Sequence, residues 1–532
     1  MRPFVRLLLI PVCYLLCALS ARAQSPQWQW AEAQPFTVNS VAADAGGHAY
    51  VTGQFSGTIR LGRFTLTSSS AGGDLLVAKF DAVGHPEWAT VLPIQPTLVG
   101  GTAGTFASGT DISVHPLTGE AVVLGRMNGL FTSTVPGTNL SPDLYFQDKF
   151  VVFKLSASGT IRWAVQGGST YLPTSANALA LDLMGNSYVT GIGYGYQLSN
   201  GGSGAGGLRQ LFVLSLSGAG AFRWNVSGAA PLSSNGLDVS TDALQGVYVV
   251  GSYFGPLTLG GSPVPGPPSG AFLTRLDGAT GAVVWARGDQ SGATALAVDA
   301  LGRSYVAGGF SGTYTLGAAT LTATAAREGF VARFSPSGAV EWLKSVGPAE
   351  TNVGVAWSDA GPVALLKRSA STAAVIGLQL DGSPDWELQA SGVLASQRLA
   401  TTLGTSPVHR RVLVVGSFAG AATFGHEHPT ATGTSGFLAS LRFAVPIAPR
   451  CNNPLSVYPN PSQHRLTVHL PSAAGVSAQL VNLQGRVVRQ AAGAEVPATA
   501  ELTWNVADLP RGLYTLRTVE NGQTQTVLVQ LN

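Results

Sequence analysis

An all-β fold is predicted for this chain by three features of its sequence. Glycine is abundant, at 67 of 532 residues, and charged residues make up only 11%. Valine, threonine and aromatic residues recur in short runs between glycine-containing turns, which is typical of many short strands. No long amphipathic helical pattern competes with this arrangement. The length allows more than one domain, and the character of the sequence changes near residue 444.

Residues 1–23 have the pattern of a secretory signal peptide. Arg2 and Arg6 precede an apolar run, and the Ala-Arg-Ala sequence of residues 21–23 provides a small-x-small cleavage site. A transmembrane anchor is the alternative, but the apolar run is short and is interrupted by Pro11. We therefore predict that the chain is exported and that residues 1–23 are removed.

Charge and cysteine content restrict the function of the mature chain. The sequence has 30 basic and 27 acidic residues, and three of the basic ones, Arg2, Arg6 and Arg22, belong to the signal. The mature protein is therefore close to neutral and has no basic patch that would indicate nucleic-acid binding. Cys451 is the one cysteine outside the signal, so an internal disulfide is excluded and stability must come from packing and strand pairing.

A module of roughly 60 residues repeats between Val38 and Phe443. The clearest copy lies between Thr294 and Val346, where four strand-like runs alternate with two glycine turns and one variable hairpin. Four antiparallel strands per module, repeated about seven times, predict a seven-bladed β-propeller spanning residues 24–443.

A tryptophan marks the fourth strand of each module. These tryptophans are Trp30, Trp88, Trp163, Trp224, Trp285, Trp342 and Trp386. One large ring per module suits a site packed between neighbouring blades. The module ending near Phe443 has no tryptophan strand of its own, so the segment around Trp30 is predicted to pair beside residues 436–443 and close the ring. Without that pairing the ring is open or six-bladed.

An aspartate recurs at the turn between the first and second strands of the modules. The series is Asp44, Asp182, Asp242, Asp299 and Asp359. Calcium binding and catalysis are possible roles for such carboxylates. Repetition at one turn favours a structural role, because Asp accepts hydrogen bonds from the backbone ahead of it.

Two stretches resemble known propeller repeats. Residues 182–191 resemble the D-x-x-G-N-x-Y-V-T-G pattern of the bacterial β-propeller repeat family called SBBP. Residues 276–285 are similar to the tryptophan-docking repeat of pyrroloquinoline-quinone-like propellers. Both resemblances extend over residues 24–443 and imply a propeller fold, and neither implies an activity.

A different composition begins after residues 444–454, which are predicted to be a linker. Residues 455–532 are predicted to form a small Ig-like β-sandwich. The predicted strands are 465–470, 477–482, 486–490, 501–506, 513–518 and 524–531. Turns rich in glycine, asparagine and proline separate most of them.

This tail resembles the type A C-terminal sorting domain of the type IX secretion system. The positions that carry the resemblance are Tyr458, Pro459, Asn460, Pro461, Gly485, Leu509, Gly512 and Tyr514. The resemblance implies export across the outer membrane with the type IX secretion machinery as partner, followed by release or attachment to surface lipopolysaccharide. The family often has a lysine in its last strand, whereas residues 523–532 have none.

One histidine cluster, at residues 425–429, could bind a metal. His426 and His428 flank Glu427, and two imidazoles beside a carboxylate suit a transition metal. The cluster falls in a hairpin that varies between modules, so a solvated loop is the preferred interpretation and both histidines are weak candidates. No Ser/His/Asp set, phosphate loop or quinone site is recognisable, so we predict no catalytic residue and no cofactor.

Three functions are compatible with these patterns. The leading hypothesis is a non-enzymatic secreted or cell-surface module for binding or adhesion, with a glycan or a protein as its extracellular ligand. The rival is an extracellular glycan-acting enzyme with a site over the propeller channel, and the third is a structural surface-layer component. An enzyme predicts acids, or a Tyr-Arg-Glu group, converging at one mouth of the channel. A binding module predicts exposed aromatic residues on loop tips, with Tyr194, Tyr196, Tyr253 and Phe254 as candidates.

Overall fold

The computed structural model describes sixteen segments of the chain. They are residues 26–70, 72–92, 95–96, 106–128, 131–132, 149–169, 172–204, 209–350, 353–358, 361–401, 411–443, 455–470, 476–482, 485–492, 501–520 and 523–532. Every regular element within them is a strand, which confirms the predicted all-β class. None of these segments holds a helix able to cross a bilayer. The predicted signal peptide and the predicted linker lie outside the described residues.

The described residues form two compact units, one within residues 25–443 and one within residues 444–532. Five sheets of four antiparallel core strands follow one another in the first unit. Sheet 1 contains Thr37–Ala43, Ala49–Phe55, Asp74–Phe80 and Pro86–Val91; sheet 2 contains Phe106–Val114, Ala121–Asn128, Lys149–Leu155 and Ile161–Gly168; sheet 3 contains Ser175–Leu181, Ser187–Gly193, Gln210–Leu216 and Phe222–Ala229; sheet 4 contains Ser233–Thr241, Gly246–Phe254, Ser269–Asp277 and Val283–Asp289; sheet 5 contains Gly292–Val298, Ser304–Phe310, Glu328–Phe334 and Val340–Pro348.

Short two-stranded hairpins accompany these sheets. Tyr196–Leu198 and Ser203–Gly204 extend sheet 2, and Thr258–Leu259 and Ser262–Pro263 extend sheet 3. Separate two-stranded ribbons pair Thr58–Leu61 with Phe64–Thr67, Gln95–Pro96 with Phe131–Thr132, and Thr313–Leu316 with Ala319–Thr322.

Burial within each sheet shows that the sheets pack face to face. The second strands are buried along almost their whole length, as in Ser187–Gly193 and Ser304–Phe310, where every residue is buried. Such strands need cover on both faces. The fourth strand of sheet 1, Pro86–Val91, is only half-buried throughout, which places it at the outer edge.

The first strands of successive sheets contact one another from sheet 1 through sheet 5. The first strand of sheet 5 then contacts Gly354–Ser358, which contacts Pro384–Thr401. Pro384–Thr401 in turn contacts Thr37–Ala43 of sheet 1. Packing of the sheets face to face, with their first strands in contact, is the arrangement of a β-propeller.

The last two modules form one seven-stranded sheet, called the terminal sheet below. Its strands are, in spatial order, Gln27–Gln34, Thr430–Arg442, Arg411–Phe424, Pro384–Thr401, Thr372–Leu378, Gly361–Ser369 and Gly354–Ser358. We predicted two separate four-stranded units here, and that prediction is wrong in this respect. The 18-residue strand Pro384–Thr401 runs without a break from one module into the next, so it pairs with strands of both.

The N-terminal strand lies at one edge of the terminal sheet. Gln27–Gln34 pairs antiparallel with Thr430–Arg442, and the partners include Trp30 with Ser440 and Gln34 with Gly436. The predicted position of Trp30 beside residues 436–443 is therefore present in the structure.

The second unit consists of two antiparallel sheets. The three-stranded sheet contains Ser456–Tyr458, Arg465–His469 and Glu501–Asn505; the four-stranded sheet contains, in spatial order, Val487–Ala492, Val476–Asn482, Gly512–Glu520 and Gln523–Leu531. Apolar side chains of both sheets, among them Leu466, Trp504, Leu480 and Leu516, share one core. All six predicted strands are present to within two residues at each end, and Ser456–Tyr458 is a strand that we did not predict.

Six tryptophans connect neighbouring sheets of the first unit. Each indole Nε1 donates a hydrogen bond to a backbone carbonyl at a turn of the following sheet: Trp30 to Ala82 (3.2 Å), Trp88 to Ala157 (3.0 Å), Trp163 to Gly218 (3.0 Å), Trp224 to Gly278 (3.0 Å), Trp285 to Pro336 (2.9 Å) and Trp342 to Leu380 (3.0 Å). Trp30 lies in the terminal sheet, and its partner Ala82 lies in sheet 1. The seventh, Trp386, packs edge-on against Phe443 with ring centroids 5.5 Å apart.

A turn glycine lies directly beneath each of these six indole rings. At Gly281 the backbone has φ of +77°, and a Cβ atom would lie 2.8 Å from the ring carbons of Trp224. Glycine is required there for two reasons, because it tolerates the left-handed backbone and because it leaves room for the ring.

Replacing Gly281 with alanine distinguishes the effect of the left-handed backbone from the effect of the space beneath the indole ring. Gly281→Ala should lower the free energy of unfolding by about 1–3 kcal/mol more than Gly261→Ala, because only the first substitution drives a methyl group into an indole. Gly261 is the matched control, since its φ is +85° and no atom lies within 4 Å of its Cβ position. Urea unfolding measures both variants. Equal losses would contradict close packing of Trp224 on this turn.

Candidate functional site

Three charged residues stand at similar places in strands of three different sheets. Asp111 lies in sheet 2, Asp238 in sheet 4 and Arg398 in the terminal sheet, and each directly follows an irregularity in the pairing of its strand. An irregularity of this kind re-aims the side chain that comes after it.

The three residues meet although 127 to 287 positions separate them in the sequence. Arg398 Nη1 donates to Asp238 Oδ1 at 3.5 Å, and Arg398 Nη2 lies 3.8 Å from Asp111 Oδ2. Nη2 also donates to the carbonyl oxygen of Asn177, in the first strand of sheet 3, at 3.4 Å. One guanidinium thus contacts the first strands of three other sheets. We call Asp111, Asn177, Asp238 and Arg398 the inner cluster.

Asp111 also binds backbone and hydroxyl groups. Its Oδ1 accepts from Ser40 Oγ at 2.7 Å and from the Ile112 N–H at 3.0 Å, and its Oδ2 accepts from the Leu179 N–H at 2.9 Å. Because Ser40 belongs to sheet 1 and Leu179 to sheet 3, this carboxylate joins three consecutive first strands.

Asp238 repeats this arrangement two sheets further on. Its Oδ1 accepts from the Val239 N–H and its Oδ2 from the Leu296 N–H, both at 2.9 Å. Leu296 lies in the first strand of sheet 5. Hydrogen bonds from backbone N–H groups to a charged acceptor are among the stronger ones in proteins. The carboxylates of the inner cluster therefore hold neighbouring sheets together.

The electrostatics of the inner cluster depend on burial. Burial raises the pKa of Asp238 to about 6, and the neighbouring Asp111 adds to that rise, while Arg398 and the two backbone N–H groups oppose it. Asp111 raises the pKa of Arg398, so this guanidinium stays charged. At neutral pH Asp238 is therefore mostly ionised and lies beside the charged Arg398.

The chemistry of the inner cluster is more structural than catalytic. Two acids and an arginine converge among the first strands, which is a feature the enzyme hypothesis predicts. All four carboxylate oxygens, however, already accept hydrogen bonds from backbone or hydroxyl groups of the protein. A general acid or base must reach the substrate proton directly or through one water, and these oxygens are engaged elsewhere.

We did not identify the inner cluster from the sequence. Its signal is an isolated charge within a strand of otherwise apolar and small residues, as in Phe106–Val114 and Ser233–Thr241. The meeting of three such charges follows from the arrangement of the sheets and not from any spacing along the chain.

The turn aspartates have the structural role that we predicted. Asp182 Oδ1 accepts from the N–H groups of Met184 and Asn186, both at 2.9 Å, and Oδ2 accepts from the Tyr188 hydroxyl at 2.8 Å. Asp242 and Asp299 repeat the pattern, and Asp44 does so in part. The fifth aspartate, Asp359, lies outside the described residues. Burial next to these carboxylates raises the pKa of the buried tyrosines, to about 12 for Tyr305.

Two of the four aromatic residues predicted on loop tips are core residues instead. Tyr196 and Tyr253 are buried, and their hydroxyls donate to Asn225 Oδ1 at 2.5 Å and to the Pro267 carbonyl at 2.8 Å. Tyr194 is half-buried. Only Phe254 is exposed, at 57%. That prediction was largely wrong, because Tyr196 and Tyr253 lie on strands and their rings are buried in the core.

Exposed aliphatic residues instead gather at the turn between the first and second strands of sheets 2 to 5. They are Leu117 (40% exposed), Met184 (61%), Leu244 (60%) and Leu301 (67%). Neighbouring turns touch: the Ala45 N–H donates to the Pro116 carbonyl at 3.0 Å, and His115 Nε2 lies 3.2 Å from the Leu183 carbonyl oxygen. The four side chains thus lie on consecutive turns at one end of the sheets, here called the turn face.

The weak metal candidates gain no further ligand. His428 Nδ1 lies 3.4 Å from Thr423 Oγ1, and Gly425 and Glu427 belong to the tight turn of this hairpin. Across the described segments, no three His, Cys, Asp or Glu side chains are grouped closely enough to hold a metal ion.

The predicted sorting residues lie at several places in the second unit. The Tyr458 hydroxyl lies 2.8 Å from His469 Nε2 and donates to Glu501 Oε1 at 3.3 Å. The Tyr514 hydroxyl donates to the Pro510 carbonyl at 2.7 Å, and Leu509 packs on the core.

The remaining sorting positions shape the backbone. Gly485 and Gly512 adopt positive φ, and the peptide bonds before Pro459 and Pro461 are cis. Asn460, between the two prolines, bonds through its side chain to the strand Gln523–Leu531.

The second unit belongs to a recognised class of export domain. Residues 456–530 match the family described as the secretion system C-terminal sorting domain. The tail is therefore a type IX secretion sorting domain, as its motifs predicted, and the chain is a secreted or cell-surface protein. No curated protein matches the chain.

Solved structures show remote similarity. They include the Dos1 propeller (10% identity, TM-score 0.40, covering 78% of this chain and 95% of that one) and the plexin A4 extracellular region (8%, 0.35, 94% and 67%). A mutant of NanB sialidase from Streptococcus pneumoniae is a third (10%, 0.35, 76% and 68%). Neither the SBBP-type nor the pyrroloquinoline-quinone-like assignment gains support from these similarities.

Removal of the guanidinium tests the inner cluster. Asp238 has a raised pKa, so ionising it costs stability as the pH rises towards and through 6, and Arg398 offsets that cost. Arg398→Met should therefore lower the free energy of unfolding by about 1–3 kcal/mol at pH 8 and by less at pH 5, where Asp238 is mostly protonated. Urea unfolding at the two pH values measures this difference.

The matched control is Arg303→Met, which breaks an Arg–Asp pair outside the inner cluster, where Arg303 Nε lies 2.6 Å from Asp299 Oδ2. If the loss of unfolding free energy changed with pH to the same extent in both variants, the assigned role of Asp238 would be refuted.

Proposed function

We propose that this protein is a non-enzymatic propeller scaffold for binding or adhesion, delivered to the cell surface by its type IX sorting domain, and that its partner is an extracellular protein. The observation that carries the proposal is the row of exposed aliphatic side chains on the turn face. Single exposed leucines are ordinary on protein surfaces, but exposed aliphatic residues at the same turn of four consecutive sheets mark this end of the sheets as a candidate interaction site.

The composition of the turn face favours a protein over a glycan. Leucine and methionine dominate it, and methionine is common at adaptable protein-binding surfaces. Tyr196 and Tyr253, two of the four aromatic residues predicted at the surface, are buried. Exposed aliphatic side chains of this kind suit the apolar centre of a protein interface.

One observation favours the alternative, a glycan-acting enzyme. Asp238 has a pKa of about 6 and shares Arg398 with a second acid, Asp111. Glycoside hydrolysis uses a pair of acids, of which the general acid has a raised pKa. The hydrogen bonds that occupy both carboxylates weigh against this alternative.

We also propose that the first unit is a closed ring of seven blades spanning residues 24–443, followed by a linker and a sorting domain at residues 455–532. Two contacts support closure: Gln27–Gln34 completes the edge of the terminal sheet, and Trp30 of that strand donates to Ala82 of sheet 1. The strand Pro384–Thr401 then serves as the fourth strand of one blade and the first strand of the next.

Substitution of the turn face tests the binding proposal. The double variant Leu244→Asp, Leu301→Asp should bind at least tenfold more weakly to any extracellular protein that retains the unchanged chain, because two charges enter the turn face. The control Leu232→Asp, Phe254→Asp changes two residues that are equally exposed, at 76% and 57%, but lie outside the turn face. Arrays of immobilised extracellular proteins and of glycans measure retention, and hydrolysis assays use the same glycans. Glycan turnover without protein retention would favour the enzyme.

Deletion of residues 24–33 tests ring closure. The mature protein lacking them should melt more than about 5 °C lower, because the terminal sheet loses its edge strand and sheet 1 loses the Trp30 contact. Removal of residues 444–532 is the control, since they belong to the other unit, and it should leave the melting of the first unit in place. An unchanged melting temperature after the N-terminal deletion would contradict closure.

A further inference from the structure

The start of the sorting domain is hydrogen-bonded to its last strand. Asn460 Nδ2 donates to the Leu528 carbonyl, and Asn460 Oδ1 accepts from the Gln530 N–H, both at 2.9 Å. One side-chain amide therefore occupies a donor and an acceptor of the same strand, as a neighbouring strand would do. The partners lie 68 and 70 residues away in the sequence.

Ser462 continues the contact by one further step. Its N–H donates to the Gln530 carbonyl, and its carbonyl accepts from the Asn532 N–H, both at 2.8 Å. Ser462 is fully buried, and its hydroxyl donates to the Arg465 carbonyl at 2.6 Å. Arg465 begins a strand of the three-stranded sheet, so this short segment ties the end of the four-stranded sheet to the other sheet.

The prolines explain why a side chain makes the first contact. Pro459 and Pro461 have no backbone N–H, so the residues on either side of Asn460 cannot donate to an adjacent strand. The Asn460 amide supplies a donor and an acceptor at this place. Four backbone groups on one edge of the last strand, from Leu528 to Asn532, are paired in this way.

We propose that Asn460 is a positioning residue of the sorting domain: it supports export by fixing residues 528–532 at the end of the last strand, and it does not itself contact the secretion machinery. The Asn460 side chain lies at the surface, yet both its amide atoms are engaged within the domain.

Asn460→Asp tests this role in the full-length chain. The substitution keeps the shape but replaces the donor to Leu528 with a carboxylate oxygen that repels the carbonyl. Hydrogen exchange in the peptide 523–532 should accelerate at least tenfold, and the fraction of protein at the surface of a type IX-competent bacterium should fall. The control is Asn505→Asp, since the exposed Asn505 accepts through Oδ1 from the Ala507 N–H at 3.0 Å, which an aspartate also does.

Gln530→Pro breaks the same contact while Asn460 stays intact. The Gln530 N–H points to Asn460 and away from the neighbouring strand, and proline is tolerated at such an edge position. Reduced surface display of this variant, with faster exchange of residues 523–532, supports positioning even if Asn460→Asp unfolds the whole tail. Normal display of Gln530→Pro, or lost display of Asn460→Asp with unchanged exchange, would overturn the proposal.

The chain lacking residues 455–532 defines the background level of surface display. If that chain reached the surface normally, the sorting role of the tail would itself fail, an outcome distinct from failure of the Asn460 proposal.

Discussion

The structure of the first unit depends on the contacts that six tryptophans make with the turn of the next sheet. A four-stranded sheet with two apolar faces is not stable alone, and neighbours on both sides must cover it. The indole supplies a large apolar surface and a directed hydrogen bond together, so it fixes both the distance and the register between sheets. The glycine beneath the ring and the buried Asp–Tyr turn beside it serve the same contact.

The elements that the sequence predicted well are local ones. Asp182, Gly185 and Tyr188 lie within seven residues and form one turn, so their pattern is visible in a single module. Strand positions in the tail followed from alternation and turn residues for the same reason. The tryptophans were recognisable because each module repeats them.

The elements that the sequence did not predict depend on distant parts of the chain. Asp111, Asp238 and Arg398 come from three modules, and no single module contains a cluster. The merging of the last two modules depends on a strand that continues where the others turn, and a shortened repeat does not reveal this. Tyr253 was predicted on a loop tip, but it lies in the strand Gly246–Phe254 and its ring is buried, because neighbouring sheets cover both faces of such a strand.

Pairing between the two ends of the first unit also affects how the protein folds. Gln27–Gln34 is made first, and its partner strand Thr430–Arg442 follows roughly 400 residues later. Contacts of such large sequence separation form slowly, because the entropy of closing a long loop is lost before the pairing energy is gained. Until then Thr430–Arg442 has an open edge, the kind of site at which chains aggregate. The pairing of these two strands is therefore a step at which other chains can compete.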